Sequence, residues 1–136
     1  MIYYGDEIGM TGGADPDNRR DVPGGWPEDG RNAFEAAGRT VEEQKLLTQL
    51  QRLTRLRAGS EALRNGRMVE LRVEGHAYAF ARVTSQSRAV VVFNKAPPTV
   101  TLHTPLTGSG VANGARRRCA LRHATLPDIW CGDADR

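Results

Sequence analysis

The sequence predicts an α+β fold in which one amphipathic helix is followed by a mostly antiparallel β-sheet. Apolar residues recur at helical spacing within residues 40–58, whereas apolar and polar residues alternate with period two over much of residues 66–104. The composition of the 136 residues, 39% hydrophobic and 26% charged, is that of a globular chain of about one ordinary domain.

The N-terminal part of the chain predicts one strand and one long loop. Residues 1–4 form an apolar, β-favouring run that ends at Gly5, and a short continuous apolar run is typical of a fully buried strand. Glycine and proline repeatedly interrupt residues 11–39, which therefore predict a loop. Loops of this length are often functional or disordered, and the charged and aromatic side chains of this one favour a functional role.

Residues 40–58 predict the clearest helix of the chain. Thr40 and Glu43 have the spacing of a capping box, in which each side chain accepts a hydrogen bond from the other residue's backbone N–H. Gly59 is a natural residue to follow the helix end. Leucines form one apolar stripe along the helix, which predicts a core position rather than a partner site. The stripe comprises Leu46, Leu47, Leu50 and Leu53.

The C-terminal half predicts short strands joined by tight turns, arranged as an antiparallel meander. Turn signals at residues 74–75, 85–87 and 94–98 separate the runs. The predicted strands are residues 68–73, 76–83, 89–93 and 99–102. Residues 105–136 show no comparable alternation.

Charge and cysteine content exclude several classes of protein. Nineteen Lys and Arg against sixteen Asp and Glu give a net charge of +3, and the one basic run, residues 116–118, has no interleaved aromatic residues. A nucleic-acid partner is therefore not expected. Cys119 and Cys131 have neither zinc-site spacing nor the pattern of a disulfide framework, so we expect no metal and no cofactor.

Membrane association is not expected either, since no apolar run approaches the roughly 20 residues of a membrane span. The first ten residues lack the basic start and the long apolar stretch of a signal peptide, which favours the cytoplasm.

A cluster of opposite charges in the predicted loop carries the most chemistry. It comprises Asp15, Asp17, Arg19 and Arg20. The spacing is not that of a calcium-binding EF-hand, because Arg20 and Trp26 stand where glycine and glutamate are required. Carboxylates accept hydrogen bonds from sugar hydroxyls and arginine donates in a fixed fork, so the cluster suits a neutral polyol. The alternative is a loop held together by its own ion pairs.

Two motifs resemble the α-amylase family, glycoside hydrolase family 13. YYGDEIGM at residues 3–10 and DPDNRR at residues 15–20 resemble its last barrel strand and the loop that follows, with the closest likeness to its cyclomaltodextrinase and neopullulanase branch. Later stretches agree in order, so that the resemblance covers about residues 1–104. These stretches are residues 32–34, 51–57, 61–66, 78–82 and 90–94.

The resemblance implies a domain organisation. Residues 1–59 are expected to be the C-terminal end of a (β/α)₈ catalytic barrel, with its last strand, substrate loop and last helix. Residues 60–104 are expected to form a C-terminal antiparallel β-domain, and residues 105–136 a poorly patterned tail of the kind that a shifted reading frame produces. Because a complete barrel takes about 250 residues, only a remnant of one is expected here.

The resemblance also implies retaining hydrolysis of α-glucosidic bonds, with an α-glucan oligosaccharide such as a maltodextrin or cyclodextrin as substrate. By motif, Asp15 and Arg19 match the family's Asp and Arg that contact the glucose at the cleaved position. The family's three catalytic carboxylates lie on earlier strands that would precede Met1, so no catalytic residue and no activity are expected of this chain alone. The alternative is a non-catalytic carbohydrate-binding or accessory β-domain.

Overall fold

The fold is described from a computed structural model, over residues 1–95 and 103–111. The chain divides into two compact units, Met1–Arg55 and Leu56–Arg136. The fourth predicted strand, the basic run and both cysteines lie outside the described residues. Within the described ranges, none of the helices combines the length and hydrophobicity that crossing a bilayer requires.

Residues 1–40 have no regular element longer than a single 3₁₀ turn. Such turns occur at Asp6–Ile8, Asp17–Arg19 and Ala36–Gly38. The strand predicted for residues 1–4 is not formed, and the side chains of these residues are exposed. A strand needs a neighbour to bond its backbone groups; here Tyr3 instead donates its N–H to Asp6 Oδ2 at 2.8 Å and accepts the Asp6 N–H through its carbonyl.

Helix α1 spans Val41–Ala58 and confirms the prediction from the capping box. The Glu43 N–H donates to Thr40 Oγ1 at 3.2 Å, and the Thr40 N–H donates to Glu43 Oε2 at 2.8 Å. At the other end, the Ser60 N–H bonds the Arg57 carbonyl and the Arg64 guanidinium bonds the Ala58 carbonyl. Both ends of α1 thus have partners for backbone groups that the helix itself leaves unbonded.

The leucine stripe of α1 does not occupy the core position predicted for it. No residue of α1 is buried, and Leu46 and Leu53 are exposed. Leu46 touches the N-terminal turn at Gly9, where an added Cβ would lie 2.9 Å from Leu46 Cδ2. The helical period was identified correctly, but the described residues supply little to cover the apolar side.

Three strands form an antiparallel sheet in the order β1–β2–β3, as the alternating pattern predicted. They are β1 Arg67–Glu74, β2 Ala77–Val83 and β3 Arg88–Asn94. A register shift between Glu70 and Arg72 makes an irregularity in β1. The helix and this small sheet are consistent with an α+β chain.

The two faces of the central strand β2 differ in side-chain size. Ala79 and Ala81 are fully buried, and so is Ala62 of the short helix α2, Glu61–Asn65, which packs against β2 and β3. Small side chains permit this close approach. The opposite face carries Tyr78 and Phe80, whose ring centroids lie 5.5 Å apart.

We expect Gly66→Ala to lower the free energy of unfolding by about 1–3 kcal/mol, because added core atoms must displace packed neighbours. A Cβ at this position would lie 2.5 Å from the Ala62 carbonyl oxygen and 2.7 Å from the Val83 nitrogen. Urea denaturation followed by circular dichroism measures the change. Gly30→Ala is the matched control, since no atom lies within 4 Å of its added Cβ; equal losses for the two variants would contradict the steric explanation.

Candidate functional site

Asp17 organises the first part of the loop over residues 11–39, which we call the polar loop. Its Oδ1 accepts from Arg20 Nε and its Oδ2 from Arg20 Nη2, both at 2.7 Å, and Oδ2 also accepts the Gly13 N–H at 2.6 Å. The Arg20 hydrogen bond, followed by that of Gly13, lowers the pKa of the Asp17 carboxyl. Asp17 and Arg20 are therefore engaged with each other and with the backbone.

Asp15 and Arg19, the two predicted site residues, lie together on the same turn. Arg19 Nη2 is 2.9 Å from Asp15 Oδ1, and the side chains are 75% and 63% exposed for Arg19 and Asp15, respectively. Water screens an exposed pair of this kind, which is typically worth 0 to about 1 kcal/mol. The pair can therefore open towards another hydrogen-bonding partner at little cost.

The structure thus separates the charge cluster into two ion pairs. Asp17 and Arg20 form a bidentate ion pair, which agrees with the alternative of a loop held together by its own ion pairs. Asp15 and Arg19 remain accessible and have the donor and acceptor groups that a polyol needs.

Two further carboxylates shape the middle of the polar loop. Asp29 Oδ2 accepts the N–H of Gly24 at 2.7 Å and that of Trp26 at 3.1 Å, and these backbone bonds lower the pKa of the Asp29 carboxyl. Asp21 Oδ2 accepts the indole N–H of Trp26 at 3.2 Å. Neither bracing residue was predicted from the sequence, although Asp21 and Asp29 lie within a few residues of the Pro-Gly-Gly turn at 23–25, where polar side chains often bond the backbone.

Gly24 is required where the polar loop folds back on itself. Its φ of +106° is a conformation that residues with a Cβ rarely adopt, and an added Cβ would lie 2.6 Å from Asn32 Cα. Next to it, the Ala33 N–H donates to the Pro23 carbonyl at 2.8 Å. This contact closes the middle of the loop.

Arg31 connects the polar loop to α1. Its two terminal nitrogens donate to the two Glu43 carboxylate oxygens at 2.7 and 2.8 Å, and Nη1 also donates to the Gly38 carbonyl at 3.0 Å. These bonds from Arg31, together with the Thr40 N–H, lower the pKa of Glu43 to about 2. One carboxylate therefore serves both the helix cap and the loop.

The carboxylates with shifted pKa values in the described residues do not fit proton donation. The pKa is lowered at Asp17, Asp29, Glu43 and Glu74, whereas the general acid of a glycosidase needs a raised pKa. The same part of the chain holds no group of three or more His, Cys, Asp or Glu side chains that could bind a metal ion.

Comparison with known proteins finds enzymes named neopullulanase, cyclomaltodextrinase and amylopullulanase. Over 110 residues, 79% of this chain, it is 34% identical to neopullulanase 2 of Thermoactinomyces vulgaris, covering 17% of that protein. Over 93 residues, 68% of this chain, it is 32% identical to a cyclomaltodextrinase of Thermoanaerobacter pseudethanolicus, covering 14% of it. The chain is similar to enzymes of the α-amylase family of glycoside hydrolases.

A further relative is the amylopullulanase of Thermoanaerobacter thermohydrosulfuricus, to which the chain is 38% identical over 81 residues, 60% of this chain and 4% of the relative. No protein-family model matches the chain. The relatives confirm the resemblance to the C-terminal part of an α-amylase-family enzyme. The matching stretches span 17% or less of these relatives' lengths.

We expect the Glu43 carboxyl to titrate near pH 2 in an NMR pH titration, well below its ordinary value of 4.5. Because the folded-state pKa is lowered, the stabilisation from this group is complete above about pH 4.5 and is lost as the pH falls towards 2. Arg31→Gln is expected to move the midpoint up towards 4.5. Arg52→Gln removes the same charge from the exposed surface of α1 and is the control; an equal shift in both variants would contradict a specific pair.

Asp17→Ala is expected to speed amide hydrogen exchange at Gly13, because the carboxylate that accepts this N–H at 2.6 Å is removed. Asp15→Ala removes the same charge two residues away and is expected to leave that amide unchanged. Hydrogen exchange followed by NMR distinguishes the two. If Asp15→Ala accelerates exchange of the Gly13 amide as much as Asp17→Ala does, the assignment of Asp17 as the specific acceptor of this N–H is wrong.

Proposed function

We propose that this chain is the C-terminal piece of an enzyme that hydrolyses α-glucosidic bonds in maltodextrins or cyclodextrins. In this proposal residues 1–59 are the last strand, substrate loop and last helix of a (β/α)₈ barrel. Residues 60–104 are the C-terminal β-domain, and residues 105–136 are a tail. The relatives named amylopullulanase, neopullulanase and cyclomaltodextrinase support the substrate class.

The exposed apolar groups of the first unit support the barrel assignment. Residues 1–4 are exposed, and the leucine stripe of α1 has no buried member. In a (β/α)₈ barrel a strand has a neighbour on each side and its helix packs on the outside of the sheet. The groups left uncovered are therefore those that the remaining barrel elements would cover.

Asp15 and Arg19 are the proposed contacts to the sugar. The observation that carries this proposal is their exposed, single-contact ion pair on a loop that Asp17, Asp21 and Asp29 hold in shape. A carboxylate accepts from sugar hydroxyls, and a guanidinium donates to them. Hydrogen bonds to the sugar that strengthen in the transition state contribute several kcal/mol to glycoside hydrolysis.

In this proposal the chain by itself binds glucan but does not cleave it. Retaining hydrolysis needs two carboxylates about 5 Å apart, of which one is a proton donor and the other a nucleophile. We assign these carboxylates to other strands of the parent barrel. Asp6 and Glu7 are adjacent on a 3₁₀ turn, and Asp6 accepts the Tyr3 N–H, so they are not assigned a catalytic role.

The test is a titration of the full chain with maltoheptaose, followed by NMR or calorimetry. We expect a Kd on the order of 1 mM, the affinity that about 4 kcal/mol of binding free energy gives. Asp15→Asn and Arg19→Gln are each expected to weaken binding about fivefold or more, since each removes one charged partner. Glu28→Gln, an exposed carboxylate of the same loop, is the matched control and should leave the affinity unchanged.

The same samples are expected to release no reducing sugar from maltodextrin. Release by the wild-type chain that Asp15→Asn abolishes would show that the chain is catalytic. Unchanged affinity in both Asp15→Asn and Arg19→Gln would refute the roles assigned to these residues.

A non-catalytic carbohydrate-binding β-domain is the second candidate function. The row of rings on one face of the sheet favours it: the Phe80 and Phe93 centroids are 6.1 Å apart, and Phe93 is exposed. This candidate predicts that Phe93→Ala, rather than Asp15→Asn, weakens maltoheptaose binding. Titration of these two variants with maltoheptaose therefore distinguishes the two candidate functions.

A further inference from the structure

Trp26 combines exposure with fixed placement. Its side chain is 62% exposed. Its indole N–H donates to Asp21 Oδ2 at 3.2 Å, and its backbone N–H donates to Asp29 Oδ2 at 3.1 Å. The polar edge of the ring is therefore already bonded within the loop, while much of its apolar surface remains open to solvent.

We propose that Trp26 is a stacking platform for a pyranose ring of the glucan. This deepens the function proposed for the polar loop and rests on it for the identity of the ligand. A pyranose presents an apolar face of C–H groups that carry partial positive charge, and the π-face of an indole is negative. Stacking buries apolar area on both partners and leaves the sugar hydroxyls at the rim free to bond elsewhere.

The anchoring of the ring lowers the cost of binding. An unrestrained side chain loses conformational freedom when a ligand immobilises it, and this loss weakens binding. The bond to Asp21 and the backbone bond to Asp29 already restrict Trp26. The N–H also needs no partner from the ligand, so a neutral sugar face meets no unsatisfied donor.

A continuous set of bonds joins Trp26 to the turn that carries Asp15 and Arg19. Asp17 bonds Gly13 and Arg20, and the next residue, Asp21, bonds the Trp26 ring. All of these residues lie in the unit Met1–Arg55. The platform and the exposed ion pair thus belong to one braced loop.

Phe34 provides the contrast within the same unit. Its side chain is 65% exposed, close to the value for Trp26. Its backbone N–H donates to Asn32 Oδ1 at 2.9 Å, but a phenyl ring has no polar edge that a loop carboxylate could hold. The two rings are therefore similar in exposure. They differ in that the Trp26 indole is anchored by a hydrogen bond to Asp21, whereas the Phe34 ring has no group that could form one.

The experiment titrates the full chain with maltoheptaose and compares four variants by calorimetry. Trp26→Ala and Trp26→Leu are expected to weaken binding about fivefold or more, whereas Trp26→Tyr retains a flat ring and should remain within about twofold of wild type. Phe34→Ala is expected to change nothing. The Trp26 indole resonance should shift on titration of the wild-type chain, and circular dichroism of each variant checks that it is folded.

The outcomes distinguish the proposed role of Trp26 from the proposed roles of Asp15 and Arg19. Wild-type affinity in Trp26→Leu, together with weakened binding in Asp15→Asn, would overturn the platform and leave the proposed function standing. Weakened binding in Trp26→Leu, with Asp15→Asn and Arg19→Gln unchanged, would support the platform and overturn the roles of the pair. Equal losses in Trp26→Ala and Phe34→Ala, or no binding by the wild-type chain at millimolar maltoheptaose, would overturn the platform.

Discussion

Carboxylates that accept backbone N–H groups are the interaction on which the polar loop depends. A long loop without helical or strand ladders leaves many backbone groups to satisfy by other means. Asp17 accepts the Gly13 N–H, Asp29 accepts those of Gly24 and Trp26, and Glu43 accepts that of Thr40. These acidic residues are thus internal hydrogen-bond acceptors, whereas the ion pair of Asp15 is with the Arg19 side chain.

Local signals predicted the elements that depend on local interactions. The capping box of Thr40 and Glu43 identified the start of α1, because both bonds connect residues three apart in sequence. The three described strands match the period-two pattern within about one residue at each end, because β2 has a bonded partner on both sides.

Features that need distant partners were not predictable in the same way. The apolar character of residues 1–4 and of the leucine stripe was evident, but burial depends on what packs against them, and the described residues provide little cover. Within the charge cluster, both arginines have an acid three or four residues away. The sequence therefore could not show that Arg20 would take both oxygens of Asp17, leaving Arg19 with one contact to Asp15.

The shared use of Glu43 has a consequence for how the protein can be divided. The carboxylate that caps the first turn of α1 also receives the Arg31 guanidinium, so the loop and the helix start are held by one side chain. A truncation placed at the loop–helix junction would separate Arg31 from its acceptor, although secondary structure alone would suggest a clean boundary there. The smallest transplantable unit that keeps the loop intact must therefore carry the first turn of the helix with it.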